Sequence, residues 1–435
     1  MSESNFFEKR FKLSEHNTSI SREIMAGITT FMTMSYILAV NPLILGDAGM
    51  DAGGVFTATI LASVLSTVIM AFGANYPFAL SAGMGLNAFF AYSVVLGGGN
   101  TWQFALTAVF IEGIIFLLMS LFKIRQAIFN AIPHTMKKAV SVGIGLFIAL
   151  IGLTNSGVIV ASDATIISLG NLKSPTSIVT IFGLVLTGLL LAVNLKGAIL
   201  VGIIASTILG IILGVTEIPT SIISMPPSIS TVAMKLEFNN IFTLDMLIVV
   251  FTFLFVDIFD TIGTLIGVAT KADLLDEKGE LPRSGRALFA DAVGTTAGAL
   301  LGTSTITTFV ESASGVADGG RTGLTALSTA FFFFISLFFF PLFKIVPACA
   351  TAPALVIVGL FMMSPIKDID FSDYTESIPA FLTIIMMPFA YSIAEGIVFG
   401  MISYVVLKML TRKFKDISLL MYILAAIFIL RVILT

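Results

Sequence analysis

Charged residues, cysteine and histidine are scarce in this sequence of 435 residues. Only 11% of the residues are charged, whereas a soluble globular domain carries roughly 25%. The single cysteine, Cys349, excludes an intramolecular disulfide. The two histidines, His16 and His134, both lie in polar stretches, so we expect no zinc or haem site and no cofactor.

Most of the sequence consists of long apolar stretches. Hydrophobic residues make up 57% of the chain, and its mean hydropathy is +1.04. A transmembrane helix needs about 20 mostly apolar residues, so the sequence predicts an all-α polytopic membrane protein. We expect fourteen membrane-spanning segments, at 22–45, 54–73, 78–97, 102–122, 137–154, 176–193, 197–214, 243–269, 286–302, 308–319, 323–343, 350–364, 376–393 and 395–411.

The distribution of lysine and arginine predicts the orientation of these segments. If the N-terminus lies in the cytoplasm and the segments alternate, 19 of the 23 basic residues fall on the cytoplasmic side and only three fall outside. Such a bias is typical of cytoplasmic loops, so we expect a multi-pass protein of the cytoplasmic membrane with its N-terminus inside. The last basic residue, Arg431, lies in an extra apolar stretch, 417–433. We expect this stretch to be an interfacial helix, with a fifteenth span as the alternative.

An internal repeat divides the chain into two halves. The string LFKI occurs at 121–124 and at 342–345, and in both copies a proline follows, with Gly-Leu-Phe beginning twelve residues after it. An odd number of segments, seven, separates the copies, so the halves have opposite orientations. Inverted repeats with broken segments near the midplane are typical of transporters. The repeat pairs segment 3 with segment 10, which are the two segments that open in weakly helical, Gly/Ser/Thr-rich sequence.

Two carboxylates stand at the centre of segment 8. Asp257 and Asp260 lie three residues apart in VVFTFLFVDIFDTIGTLIGV, on nearly the same helix face. An ionised carboxylate at the bilayer centre costs at least about 2.5–3.5 kcal/mol, so each should face a cavity or a polar partner. A structural pair bonded to neighbouring helix ends is the alternative, but acids at midspan more often mark a substrate or proton path.

Further polar residues lie in the interrupted segments. Glu311 follows a Thr-rich stretch and is expected at or near the start of a half-helix, where it can address a ligand or simply cap the helix. Asn87 occupies the matching place in segment 3 and could either contact a ligand or join two helices. Glu112 in segment 4 is a weaker candidate for packing against this region.

The acidic character of this region limits the class of ligand. Carboxylates and an amide suit a neutral molecule with N–H donors, or a cation, and do not suit a free anion. An aromatic residue such as Phe259 or Phe89 could stack on a flat ligand. A carboxylate buried in a membrane protein can bind and release a proton near neutral pH, so proton coupling follows as a hypothesis.

Four stretches resemble one family of transporters. TTFMTMSYILAVNP (29–42), SAGMGLNAFFAY (81–92), FVDIFDTIGTLIGVA (255–269) and TTFVESASGVADGGRTGLTAL (307–327) are similar to the AzgA-like purine permeases, within the nucleobase–ascorbate (xanthine/uracil) permease superfamily. The resemblance covers essentially the whole chain. It implies fourteen segments in two inverted seven-segment repeats, with short extended stretches in the discontinuous segments 3 and 10. It also implies uptake of hypoxanthine, guanine or adenine with protons, by an elevator-like movement, and no enzymatic activity.

The resemblance also implies a division into domains. Core and gate domains would alternate along the chain. The expected parts are a cytoplasmic tail (1–21), the two halves of the core domain (22–122 and 243–343), the two halves of the gate domain (137–214 and 350–411) and a C-terminal segment (412–435).

Residue roles carry over from the same resemblance. Glu311 matches the glutamate that holds the N–H groups of the base, and Asp257 matches the acid of segment 8 on the substrate. Asp260 is its neighbour one turn on, and Asn87 matches the asparagine of segment 3. Val310 stands where the family's backbone N–H approaches the ligand. We assign proton coupling to Asp260, Asp257 and Glu311.

Three other classes of protein compete with a purine permease as the interpretation of this sequence. A uracil or xanthine permease of the same superfamily usually carries Glu and often His in segment 8, which this chain lacks. An anion carrier of the same fold would need a basic site, and an intramembrane aspartyl protease would need aspartates on different helices. The expected partners are a purine base, protons and the lipid bilayer. We expect no nucleic-acid partner, and a homodimer through the gate domain by analogy only.

Overall fold

A computed structural model describes residues 6–122, 132–239, 241–276 and 281–434 of the chain. These parts of the chain are mostly helical. Within them, nine helices are long and apolar enough to cross a membrane: Ile20–Asp47, Ala52–Ala74, Trp102–Ser120, His134–Asn155, Pro175–Ala192, Leu244–Lys271, Gly323–Lys344, Ala348–Asp368 and Ile393–Leu410. The protein is therefore a multi-pass membrane protein, as the hydropathy of the sequence predicts.

Each of the fourteen predicted segments corresponds to an observed element. Segment 1 is two helices, Ile20–Met34 and Ile37–Asp47, and segment 2 continues from Ala52–Ile69 into a π-helix, Met70–Ala74. The helices of segments 4–9 are Trp102–Phe122, His134–Asn155, Pro175–Ala192, Ala198–Ile212, Leu244–Lys271 and Ser284–Leu301. Those of segments 11–14 are Gly323–Ser336 with Phe340–Lys344, then Ala348–Met362, Tyr374–Phe389 and Ile393–Leu410.

Segments 3 and 10 are interrupted, as predicted. Each begins as a strand, β1 (Leu80–Ala82) or β4 (Ile306–Thr308), and continues as a helix. Segment 3 continues as Met84–Ala88 and a π-helix, Phe89–Gly97, and segment 10 as Ser312–Ala317. The strands pair antiparallel, with Ser81 opposite Thr307. Non-helical backbone is tolerated at this depth because it is buried in protein, and all residues of both strands are buried.

Side chains of neighbouring segments complete the hydrogen bonding of these strands. Leu80 donates its backbone N–H to Thr67 Oγ1 at 3.0 Å, and Thr295 Oγ1 donates to the Ile306 carbonyl at 2.9 Å. A third bond, 2.8 Å long, joins Ser63 and Ser81. The many Ser and Thr residues of segments 2 and 9 thus satisfy polar groups that would be costly to bury alone.

Capping residues determine where several helices begin. Ser19, Asp51 and Thr243 each accept a backbone N–H of the first turn of segments 1, 2 and 8. Glu23, fully buried, reaches across to the start of segment 11, where its carboxylate accepts from Thr322 and Thr325. This contact fixes the start of segment 1 against that of segment 11.

The segments pack into two bundles. Segments 1–4 and 8–11 contact mainly one another and form what we call the first bundle; segments 5–7 and 12–14 form the second bundle. In the second bundle, Gly145 and Gly359, the glycines of the two repeated Gly-Leu-Phe motifs, face each other. A Cβ on either would overlap the carbonyl oxygen of the other. An axis that relates the two repeats brings equivalent residues into contact, as it does for these two glycines.

Smaller elements lie outside the fourteen segments. They are a helix at Phe6–Phe11, the hairpin β2 (Ile159–Ser162) and β3 (Ile166–Leu169), and a C-terminal helix, Leu419–Leu434. Phe428 of the last helix packs on Phe251 of segment 8 with ring centroids 5.6 Å apart. Its position in the membrane interface stays a prediction.

Candidate functional site

Two connected cavities lie between the bundles. The first, about 340 Å³, is lined by Asp260 and Glu311 from the first bundle and by Lys137 from the second. The second, about 1000 Å³, shares Glu311 with the first and extends to a group of lysines, Lys196, Lys271 and Lys367. The lysine-bearing ends of the segments are those that the sequence places in the cytoplasm.

Glu311 lies at the junction of these cavities. It is the residue before the helix Ser312–Ala317, directly after the extended β4 stretch, as the sequence predicts. Tyr36, at the break between the two helices of segment 1, donates its hydroxyl to Glu311 Oε1 at 2.7 Å. The preceding residue, Val310, lines both cavities and is 49% exposed. The carboxylate is thus held from one side and open to a ligand from the other.

Asp260 lines the smaller cavity together with Glu311. It projects from the middle of segment 8, and a Cβ built on Gly83 would lie 3.6 Å from Asp260 Oδ2. Phe259 lines the same cavity, and its ring meets that of Phe255 edge to face, with centroids 4.5 Å apart. Two carboxylates and an aromatic ring, carried by segments 8 and 10, therefore border one space.

Asp257 lies behind this cavity and is fully buried. The hydroxyl Oγ1 of Thr261 lies 2.9 Å from Asp257 Oδ1, 3.0 Å from Asp291 Oδ1 and 2.8 Å from Thr307 Oγ1. A hydroxyl has one hydrogen and can donate to one carboxylate at a time. Thr261 therefore joins the carboxyl groups of segments 8 and 9 to the strand β4.

Asn87 is likewise fully buried and does not reach the cavity in this structure. Its Oδ1 accepts from the Ser304 hydroxyl, and its Nδ2 donates to the Ala82 carbonyl at 3.4 Å. It therefore joins the interrupted part of segment 3 to the loop before β4. Glu112 behaves similarly, accepting from Thr305 Oγ1 at 2.8 Å.

Three residues near the site were missed by sequence reasoning: Tyr36, Lys137 and Asp291. Asp291 is an ionisable group within an apolar segment, so the rule that identified Asp257 could have found it, whereas Lys137 is the first residue of segment 5 and gave no such signal. Tyr36 carried no such signal, because its role depends on a contact with a residue 275 positions away.

The opposite side of the molecule is closed by contacts between the bundles. Tyr92 of segment 3 donates to Asp47 Oδ2 at 2.7 Å, and Asn155 of segment 5 donates to the Tyr92 hydroxyl at 2.7 Å. Tyr391 packs edge to face on Tyr92, with ring centroids 6.3 Å apart. Among the described residues, the cavity that contains Glu311 extends toward the lysine-bearing side.

Inverted repeats, crossed strands and a polar cavity between two bundles define a membrane transporter. The chain belongs to the group described as Permease family (Xan_ur_permease), whose model matches residues 21–399. The resemblance noted in the sequence is confirmed by this match.

The similarity to named relatives covers nearly the whole chain. A putative permease of Methanocaldococcus jannaschii is 51% identical over 98% of this chain and 98% of its own length. The guanine/hypoxanthine permease PbuG of Bacillus subtilis is 45% identical, covering 97% and 98% of the two chains. The adenine permease AdeP of Escherichia coli is 44% identical, covering 98% and 96%.

A solved structure shows the same fold. The transmembrane domain of the cyanobacterial bicarbonate transporter BicA superposes with a TM-score of 0.64, covering 86% of this chain and 97% of that one. The two sequences are only 16% identical, so the likeness concerns the fold alone. It confirms the predicted fold class of an all-α polytopic membrane protein.

Proposed function

We propose that this chain is a purine nucleobase permease that imports hypoxanthine, guanine or adenine across the cytoplasmic membrane, coupled to protons. The observation that carries the proposal is the pair of carboxylates, Asp260 and Glu311, that border one cavity between the bundles. The similarity over nearly the full length to permeases named for guanine, hypoxanthine and adenine supports the same substrate class.

The two carboxylates suit a base with N–H donors on opposite edges. Guanine and hypoxanthine present N1–H on one edge and an imidazole N–H on another, and Glu311 and Asp260 can accept both. A hydrogen bond to a charged group contributes about 1.5–3 kcal/mol. Phe259 offers a ring for stacking, and the backbone N–H of Val310, at the junction of the cavities, is a further proposed contact.

Asp257 and Asn87 lie too deep to touch a base in this arrangement, so we propose a different part for them. Asn87 joins the interrupted part of segment 3 to that of segment 10. Asp257 shares the Thr261 hydroxyl with Asp291, directly behind Asp260 in segment 8. We propose that this group exchanges protons with Asp260 and Glu311 during transport.

The two bundles correspond to the parts that would move. We propose that the first bundle is the core domain, which carries the base, and that the second bundle is the gate domain. The structure then represents an inward-open state, because the larger cavity leads from Glu311 to the lysine-bearing side. Placing this side in the cytoplasm follows from the distribution of basic residues. A homodimer through the gate domain remains a proposal by analogy.

An anion carrier is the main competing function, because the bicarbonate transporter BicA has the same fold. Two carboxylates at the cavity disfavour a free anion, since like charges repel at close range. A uracil or xanthine permease is the second competitor and would differ in which bases compete for uptake.

Uptake in cells that lack their own purine permeases tests the proposal. We expect labelled hypoxanthine to accumulate, with excess guanine or adenine competing and uracil not competing. Collapse of the proton gradient should abolish accumulation, and Asp260→Asn should remove this dependence. Competition by uracil alone, or uptake of bicarbonate in place of any base, would contradict the proposal.

A further inference from the structure

Lys137 is a buried cation in the same cavity as the two proposed ligand carboxylates. It lies in the first turn of segment 5 and is 9% exposed. With Asp260 and Glu311 it lines the cavity of about 340 Å³. The negative charges belong to the first bundle and the positive charge to the second, so any movement between the bundles changes their separation.

Helix stability does not explain a lysine at this position. The N-terminal end of a helix carries a partial positive charge, so a cation in the first turn is unfavourable. The first turn of segment 5 contains no acidic residue that would offset it. The neighbouring Lys138 lines the same cavity, but it is half-buried and its Nζ donates to the Asp368 carbonyl at 2.8 Å.

The rise of segment 5 places Lys137 on the cytoplasmic side of the carboxylates. Ile144 of this segment lies beside segment 3, where a Cβ built on Gly85 would be 2.7 Å from Ile144 Cγ2. Asp260 lies beside Gly83, two residues before Gly85 in segment 3. Lys137 precedes Ile144 by seven residues, which corresponds to about 10 Å along the helix axis.

We propose that Lys137 is the proton-release residue of the transport cycle, a fixed ammonium of the second bundle that expels the proton from Asp260 and Glu311 when the first bundle faces the cytoplasm. The inference rests on the proposed function and deepens it. In this role, the charge of Lys137 promotes release of the proton, and Lys137 does not contact the base.

Electrostatics gives the direction and size of the effect. A cation favours the ionised form of a nearby carboxyl group. For two charges about 10 Å apart at an effective dielectric constant of about 20, the interaction weakens proton binding about tenfold. When the first bundle moves away toward the outside, the separation grows and the carboxylates bind protons again. The same carboxyl group thus takes up a proton on one side and loses it on the other.

Other charged groups lie near Lys137 and the two carboxylates. The test must distinguish their effects from the effect of Lys137. They are Lys138 on the same segment, Lys367 and Asp368 after segment 12, Lys271 at the end of segment 8, and Asp257 and Asp291 behind the cavity. Of these, Lys138 is the natural control, because it is adjacent to Lys137 and lines the same cavity, but is half-buried and donates its Nζ to the Asp368 carbonyl at 2.8 Å.

The test uses the full-length protein in proteoliposomes with three variants: Lys137→Met, Lys137→Arg and Lys138→Met. Two rates are compared, net hypoxanthine uptake driven by an inside-alkaline pH gradient and exchange of labelled for unlabelled hypoxanthine at equal pH. Exchange needs no proton release, because the proton stays bound while one base replaces another.

We expect Lys137→Met to slow net uptake about tenfold while exchange stays within about twofold of the wild type. Without the lysine charge, the carboxylates of Lys137→Met hold protons more tightly and need a higher pH to lose them. Net uptake by this variant should therefore recover when the internal pH is raised by about one unit. Lys137→Arg, which keeps the charge, and Lys138→Met should both behave like the wild type.

Equal loss of uptake and exchange in Lys137→Met, with an unchanged pH profile, would overturn the inference and make Lys137 a contact of the base or a structural residue. Wild-type rates in Lys137→Met would also overturn it. Failure of the wild-type protein to take up hypoxanthine under a proton gradient would instead overturn the proposed function, which the variants do not test.

Discussion

Individual polar residues of this protein act mainly through one another. Tyr36 and Glu311 come from segments 1 and 10, and their hydrogen bond of 2.7 Å gives the carboxylate a defined orientation. Thr261 similarly lies between Asp257 and Asp291, from segments 8 and 9. In an apolar environment such charge-assisted bonds are short and directional, so the loss of one donor reorients the acceptor.

We predict that Tyr36→Phe weakens hypoxanthine binding about tenfold, which corresponds to about 1.4 kcal/mol. Without the tyrosine hydroxyl, the Glu311 carboxylate loses the donor that orients it toward the cavity. Isothermal titration of the purified protein measures the change. Tyr374→Phe serves as the control, because Tyr374 is 73% exposed. Equal affinities in the two variants would show that Tyr36 does not position Glu311.

The sequence predicted some of these residues and not others, for a physical reason. An ionisable group in an apolar run is recognisable in the sequence alone, and Asp257, Asp260 and Glu311 were found in this way. Which of them faces the cavity depends on how segments 3, 8 and 10 cross. Segment 8 presents Asp260 to the cavity and turns Asp257 inward, although the two lie on nearly the same face.

The crossed strands are the elements on which the site depends. Their sequences are short and rich in Gly, Ser and Thr, which predicted the interruption of both segments but not the register of pairing. The pairing of Ser81 with Thr307 holds the two interrupted segments together, and the helix Ser312–Ala317 after β4 lines the larger cavity. Segment 3 then contacts the second bundle where Gly85 meets Ile144.

We predict that Gly85→Ala slows transport about tenfold and leaves binding within about twofold, because the added methyl group overpacks the contact between the bundles. A Cβ at this position would lie 2.7 Å from Ile144 Cγ2, so either the side chain or the bundle must shift. Initial rates of hypoxanthine uptake at saturating concentration measure the effect.

Ile144→Ala provides the matched test of the same contact. The double variant Gly85→Ala/Ile144→Ala has room for the methyl group and should regain most of the rate. If the double variant is as slow as Gly85→Ala alone, the contact between Gly85 and Ile144 does not limit the movement.

At the scale of the whole molecule, the two sides of the site differ. One side is closed by the contacts of Tyr92 with Asp47 and Asn155, and the other opens through the cavity of about 1000 Å³. The repeat predicted the architecture, and the orientation that the lysines indicate stays a prediction. The side that is open could not be predicted, because the two states of such a transporter share one sequence and differ little in free energy.

We predict that a cysteine at position 310 reacts with a membrane-impermeant maleimide from the cytoplasmic side. The variant Val310→Cys is made in the Cys349→Ser background, which removes the only native cysteine. Val310 is 49% exposed in the larger cavity, and hypoxanthine should protect it. Ile166 lies in the hairpin between segments 5 and 6 and is 84% exposed. The variant Ile166→Cys should therefore react from outside only. Labelling of position 310 from outside alone would contradict the inward-open assignment.

The most direct test of the account is the binding of hypoxanthine to the purified protein and to Glu311→Gln and Glu311→Ala. The proposed site for the base lies between Glu311 and Asp260, so the wild type should bind and Glu311→Ala should show no measurable binding. Glu311→Gln should bind more weakly, because a neutral amide accepts a weaker hydrogen bond than a carboxylate. Normal affinity in Glu311→Ala, in a protein that still unfolds at the wild-type temperature, would show that the base binds elsewhere.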